Sequence, residues 1–146
     1  MNKPAAILTV CLLTSSFSIA QHKNSSSGLA HQKKSSKIHY GTASFYADKF
    51  EGRKTANGEI FSQKKMTGAS NIISLNTWVR VTNLHNKKEA VVKITDRMHK
   101  NNKRLIDLSH IAAKKLGYTG NGLAKVKVEV LGKKAPPGWV AIPNKE

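Results

Sequence analysis

LNTWVRVTNLHNKKEAVVKITDR, residues 75–97, carries the period that decides the fold. Trp78, Arg80 and Thr82 alternate with Val79, Val81 and Asn83. Successive side chains of a strand point to opposite faces, so this alternation predicts a strand with one face in a core. Ala90–Thr95 (AVVKIT) reads as a second strand, with Asp96 and Arg97 at its end. Further out, Val126, Val128 and Val130 alternate with Lys125, Lys127 and Glu129, which predicts a half-buried strand with a charged outer face. An early strand is expected over His39–Tyr46. One helix stands out: Ser109 suits the N-cap before HIAAKKLG, Ile111, Ala112 and Leu116 give an apolar side, and Gly117 suits the end. Between these elements the chain is long and polar, above all from Asp48 to Asn71. Several short strands with one helix predict a mainly β chain, a small barrel that carries its site on loops.

The flanks differ from this core. Residues 1–20 have the layout of a signal peptide: Lys3, the apolar run Ala5–Leu13, then Ser18 and Ala20 before a cut at Gln21. Cys11, the sole cysteine, lies inside that run after Val10, so no lipid attachment is expected and the mature chain has no thiol or disulfide. Residues 21–37 (QHKNSSSGLAHQKKSSK) are expected to be a flexible basic linker. The folded domain is expected over 38–132. A tail over 133–146 follows, with Pro136, Pro137 and Pro143; Trp139, Val140 and Ile142 either fold back or stay free.

The 146-residue chain carries 25 basic and 8 acidic residues, a net charge of +17 that falls to +16 without residues 1–20. A field of this sign draws polyanions. For an exported protein, periplasmic or secreted, these are anionic wall polymers, peptide-stem carboxylates and lipid headgroups rather than nucleic acid. Few aromatic residues are available for base stacking. No apolar stretch after residue 20 is long enough to span a bilayer. A monomer is expected.

Few residues are left for chemistry. The six histidines show no paired ligand spacing, so no metal and no cofactor are expected. There is no phosphate-cradling glycine loop and no serine nucleophile elbow. Asp48, Glu51, Glu89, Glu129 and Glu146 read as solvated, and Asp107 as a helix cap. Glu59 stands beside the Asn57-Gly58 turn, where half-burial would raise its pKa. Asp96 closes a strand, which fits either a salt bridge or an active residue.

The blocks GTASFYADKFEGRKTANGEIF, MTGAS, LNTWVRVTNLHNKKEAVVKITDR, RLIDLSHIAAKKLGY and AKVKVEVLG, in this order, closely resemble the rare lipoprotein A (RlpA-like) family. The resemblance covers roughly Tyr40 to Gly132. It implies a six-stranded double-psi β-barrel with one or two short helices, the fold of expansins. It also implies a lytic transglycosylase that cleaves stem-free peptidoglycan glycan strands to 1,6-anhydromuramoyl products during wall remodelling. The family's acid pair falls on Asp96 and Glu59, with Asp96 as acid/base and Glu59 orienting or sharing its proton. Tyr46, Asn57, Arg97 and Ser70 are the expected substrate contacts. Such an acid needs a pKa near ~6 rather than ~3.9, which desolvation must supply against the cationic surroundings. The sequence departs from the family at Ser62, usually acidic, at Ser70, usually histidine, and at Met98-His99, usually Gly-Pro. These departures fit the alternative, a non-catalytic expansin-like module that grips the wall.

Overall fold

The computed structural model describes residues 36–139. The expected signal segment with Cys11, residues 21–35 of the expected linker and residues 140–146 of the tail lie outside the described residues. No helix among the described residues is long and apolar enough to cross a membrane.

Six strands close a barrel: β1 (Ile38–Phe45), β2 (Thr67–Ala69), β3 (Thr77–Asn83), β4 (Glu89–Asp96), β5 (Ile106–Leu108) and β6 (Ala124–Gly132). Their order around the barrel is β1-β5-β2-β4-β3-β6. Two parallel pairs, β1–β5 and β2–β4, are joined by antiparallel β2–β5, and β3 pairs antiparallel with β4 and β6. This is the six-stranded, double-psi-like barrel that the sequence resemblance implied. One α-helix, α1 (His110–Leu116), and a single 3-10 turn over Asp48–Phe50 complete it.

The alternation at residues 78–83 has the expected consequence. Val79, Val81, Val92, Ile94, Val126 and Val128 point inward and are fully buried, while Arg80, Lys93 and Lys127 stay on the outer face. Each such aliphatic side chain contributes about 1.5–3 kcal/mol by leaving water. Helix α1 lays Ala112, Ala113 and Leu116 against this core beside β4 and β1. Gly117 ends it in the left-handed region (φ 73°), which a glycine adopts without Cβ strain.

Two expectations need correction here. Asp107 is not a helix cap: it lies in β5, paired with Ser44 of β1 and Ala69 of β2. Ser109 holds the N-cap position, but its hydroxyl makes no capping bond and is buried without a partner among the described residues. Gln63 caps the helix instead, its Oε1 accepting the His110 N–H at 2.8 Å and its carbonyl accepting the Ile111 N–H at 3.1 Å. The tail turns back onto the barrel, where the Trp139 ring meets Trp78 at 4.3 Å between centroids.

Candidate active site

The site forms where the 54–60 hairpin rests on the end of β4. Lys54 and Ile60 bridge its two arms, and Asn57-Gly58 makes its tip. Thr55 holds it shut: its N–H donates to the Glu59 carbonyl at 2.8 Å, and its hydroxyl lies 2.7 Å from Asn57 Oδ1. The tip docks through backbone donors, Asn57 N–H to the Thr95 carbonyl at 3.0 Å and Ala56 N–H to Asp96 Oδ1 at 2.9 Å.

Asp96 is thereby fixed on both oxygens. Oδ1 also accepts the Arg97 N–H at 2.8 Å, and Oδ2 accepts the Tyr46 hydroxyl at 3.0 Å. Tyr46 follows β1 and packs its ring on Phe61 at 4.4 Å and on the edge of Phe50 at 5.6 Å. Burial, and then the Asp96 carboxylate beside it, push the Tyr46 hydroxyl above the ordinary tyrosine range, so it stays protonated and donates. Tyr46, Phe50, Phe61 and Asp96 wall a cleft of about 190 Å³, with Arg53, Lys54 and Thr55 on its rim. Arg53 lies over the Phe50 ring at 5.3 Å.

Glu59 behaves otherwise than its sequence position implies. Lys93 Nζ reaches its Oε1 at 2.5 Å and Asn57 Nδ2 at 3.0 Å. The Lys93 hydrogen bond outweighs burial and holds the Glu59 carboxyl below the usual range. The expected upward shift is overturned: the side chain is 42% exposed, and the cation is in direct contact. No hydrogen bond among the described residues joins Glu59 to Asp96. Each is held to the hairpin by its own hydrogen bond, Asp96 from Ala56 and Glu59 from Asn57.

The remaining expected contacts divide. Asn57 bridges Glu59 and Asn76, its Nδ2 donating to Asn76 Oδ1 at 2.9 Å. Arg97 Nη1 donates to the carbonyls of Ser70 and, at 2.7 Å, Ile73, so it anchors the 70–73 loop. Ser70 is fully buried, with its hydroxyl donating to the Leu105 carbonyl at 2.9 Å. Neither Ser70 nor Arg97 lines the cleft. Ser62 accepts the Lys64 N–H at 3.2 Å in a turn beside Glu51.

Asp107 is the carboxylate that sequence reasoning missed. Ser44 pairs with Asp107, Asp107 with Ala69, and Ala69 with Asp96, so the two aspartates sit two strands apart on one rim, about 10 Å at the usual spacing. Ser44 Oγ and the Arg104 guanidinium (2.9 and 3.2 Å) hold Asp107, and its charge also raises the Tyr46 hydroxyl. The available signal was a single acidic residue inside an otherwise apolar LIDL run.

Residues 38–128 match the protein family described as lytic transglycolase. The chain belongs to this RlpA-like family. It is 46% identical over 94 residues to the endolytic peptidoglycan transglycosylase RlpA of Haemophilus influenzae, covering 64% of this chain and 33% of that one. With RlpA of Pseudomonas aeruginosa the identity is 52% over 89 residues, 61% of this chain and 26% of the relative. The chain thus spans a third or less of the length of these two RlpA proteins. Among solved structures, a Clavibacter michiganensis expansin superposes with a TM-score of 0.54 at 20% identity, covering 69% of this chain and 54% of the expansin. A Streptomyces papain inhibitor gives 0.52 at 20% identity, covering 64% and 94%. At this identity these likenesses establish the fold alone, and a fold does not fix a function.

Proposed function

We propose that this chain is an exported lytic transglycosylase that cleaves stem-free peptidoglycan glycan strands to 1,6-anhydromuramoyl products. The observation that carries the reading is Asp96, held on both oxygens at the wall of an aromatic cleft, in a chain of the RlpA-like family. For this step Asp96 first takes up a proton, against the three donors that favour its carboxylate. As the carboxylic acid it then gives that proton to the bridging oxygen, the C1–O bond breaks, and the distal sugar leaves as an alcohol. The muramoyl 6-hydroxyl then bonds to C1 and returns its proton to the Asp96 carboxylate, so no water is consumed. Tyr46 orients the carboxyl through Oδ2. The Glu59–Lys93 and Asp107–Arg104 ion pairs brace the hairpin and the β5 rim on either side of Asp96. The aromatic wall of the cleft suits the apolar face of a sugar. The lysine excess favours retention on the anionic wall.

The test is digestion of stem-free strands by the purified protein, with products read by mass spectrometry. Anhydro-ended fragments are expected from the wild type, and about 10²- to 10⁴-fold more slowly from Asp96→Asn. Reducing-end products, or an unimpaired Asp96→Asn variant, would sink the reading. A second reading, the non-catalytic wall-binding module, is favoured by the Glu59–Lys93 pair and the buried Ser70, which leave a single candidate acid at the cleft. Salt-sensitive binding to peptidoglycan without products would select it.

A further inference from the structure

A second groove, of about 410 Å³, opens on the outer face of β3 and β4, lined by Met66, Arg80, Val91, Ile111, Lys115 and Trp139. It is about twice the volume of the Asp96 cleft. Its far wall is the tail, beyond the residues that match the family. That wall is shaped by local sequence. In Pro136-Pro137-Gly138-Trp139 a proline precedes a glycine at φ 77°, and the Trp139 N–H closes the turn on the Pro136 carbonyl at 3.2 Å. This is the pattern of a type II turn, which needs the positive φ that Gly138 provides. The turn sets Trp139 edge-to-face on Trp78, which is 7% exposed, and leaves one side of Trp139 on the groove.

The groove and the hairpin of the site lie along the same strand, β4. Val91, on its floor, and Lys93, the partner of Glu59, are successive outward residues of β4, about 7 Å apart along the strand. Trp78 pairs directly with Lys93 across β3 and β4. The cations are unequal. Arg80 faces Glu129 at 3.4 Å and Glu89 at 3.8 Å, whereas Lys115 has no carboxylate within 4.0 Å among the described residues. A half-buried indole on the groove wall, an apolar floor and an uncompensated ammonium match a chain of N-acetylated sugars that carries carboxylates. Muramoyl residues freed of their stems have this chemistry, through the lactyl group.

We infer that this groove is a second, remote subsite for the glycan strand, with Trp139 as its stacking face and Lys115 as its carboxylate contact. The inference rests on the proposed wall-glycan function and adds to it the path that a strand takes from the cleft across β4. A strand long enough to cover both regions binds more tightly than one that fills the cleft alone.

The test titrates the full chain with short and with long stem-free glycan strands, by calorimetry and by tryptophan fluorescence. The chain has two tryptophans, which touch each other, so an emission change that Trp139→Ala abolishes reports Trp139. Long strands are expected to shift the emission. Trp139→Ala is expected to weaken long-strand binding by about tenfold, the scale of losing an aromatic anchor. Lys115→Glu, a surface change on α1 that leaves the packing intact, is expected to weaken it several-fold and to flatten its salt dependence. If the wild type digests strands while both variants bind long strands as tightly as it does, the subsite fails and the proposed function stands. If the wild type neither binds nor digests strands, both fail. A dimer in gel filtration that Trp139→Ala dissolves, with strand binding unchanged, would assign the groove to a second copy and overturn the subsite.

Discussion

The Tyr46 hydroxyl donates to Asp96 Oδ2 at 3.0 Å across the seam between the end of β1 and the end of β4. The two residues are 50 positions apart in sequence and meet because β5 and β2 separate their strands by a fixed distance. Tyr46→Phe removes this donor and keeps the ring on Phe61 and Phe50. The expected result is a fall in kcat of about 10- to 100-fold, as for loss of an orienting partner, with KM little changed. Thermal unfolding should show a loss of about 0.5–1.5 kcal/mol, the net worth of one hydrogen bond. An equal loss of activity in the folded variant and in Asp96→Asn would contradict a merely orienting Tyr46.

Tyrosine ionisation gives a second test. Burial, then the nearby carboxylates, raise the Tyr46 hydroxyl, and burial and Asp107 raise that of Tyr118, which donates to the Ser44 carbonyl at 2.9 Å. A pKa raised by folding means that the folded state prefers the protonated form. Stability is therefore fully present below the ordinary tyrosine value of about 10 and falls above it, where only the unfolded chain ionises. Urea midpoints should drop between pH 9 and pH 11 (roughly one unit either side of that value). Tyr118→Phe should reduce the size of the drop, and tyrosinate absorbance below the unfolding transition should be the same in Tyr118→Phe as in the wild type.

The barrel was legible in the sequence wherever strands are long enough to alternate. β3, β4 and β6 show the period through Val79 and Val81, Val92 and Ile94, and Val126 and Val128. β2 and β5 have three residues each, too few for a period, so Thr67–Ala69 is lost in a polar segment and Asp107, ahead of Ser109, reads as a cap. Within the site, the positions of Glu59 and Asp96 were readable from the turn and the strand end. Their electrostatics were not. Glu59 is set by Lys93, 34 residues away, and the outward face of β4 aims that lysine at the hairpin. Ser70 looked like an available polar group because a residue's exposure depends on what the barrel places over it, here Leu105.

The Glu59–Lys93 contact separates the two carboxylates by experiment. Glu59 titrates below its ordinary value, so its contribution to stability is present above about pH 4.3 and is lost as the pH falls through the lowered folded value. Because the side chain is 42% exposed, solvent screens the pair and its worth stays under about 1 kcal/mol. Glu59→Gln should unfold within that margin of the wild type at pH 7 and show a weaker stability loss on acidification. Its turnover should fall less than that of Asp96→Asn, for which loss of a general acid predicts about 10²- to 10⁴-fold. Equal losses in the two variants would make Glu59 a proton carrier after all, against the lysine in contact with it.

The start of α1 supplies a stability test independent of any substrate. Ser109 has the residue type and backbone angles of an N-cap, so an ordinary reading would assign about 0.5–2 kcal/mol to its hydroxyl. The hydroxyl makes no capping bond, and its oxygen is buried without a partner among the described residues. Gln63, 47 residues earlier in the chain, accepts the His110 N–H and also donates to the Tyr46 carbonyl at 2.8 Å and Asp48 Oδ1 at 3.2 Å. Removing a buried polar atom that lacks a partner relieves a desolvation cost, whereas removing Gln63 takes away the exposed cap of His110 and a half-buried bond to the Tyr46 carbonyl. Ser109→Ala should therefore change stability by less than about 0.5 kcal/mol or raise it, while Gln63→Ala should cost about 0.5–1.5 kcal/mol. Urea denaturation of both variants at pH 7 decides it: a larger loss in Ser109→Ala than in Gln63→Ala would return the capping role to the serine and would loosen the link between helix α1 and the Tyr46 end of β1.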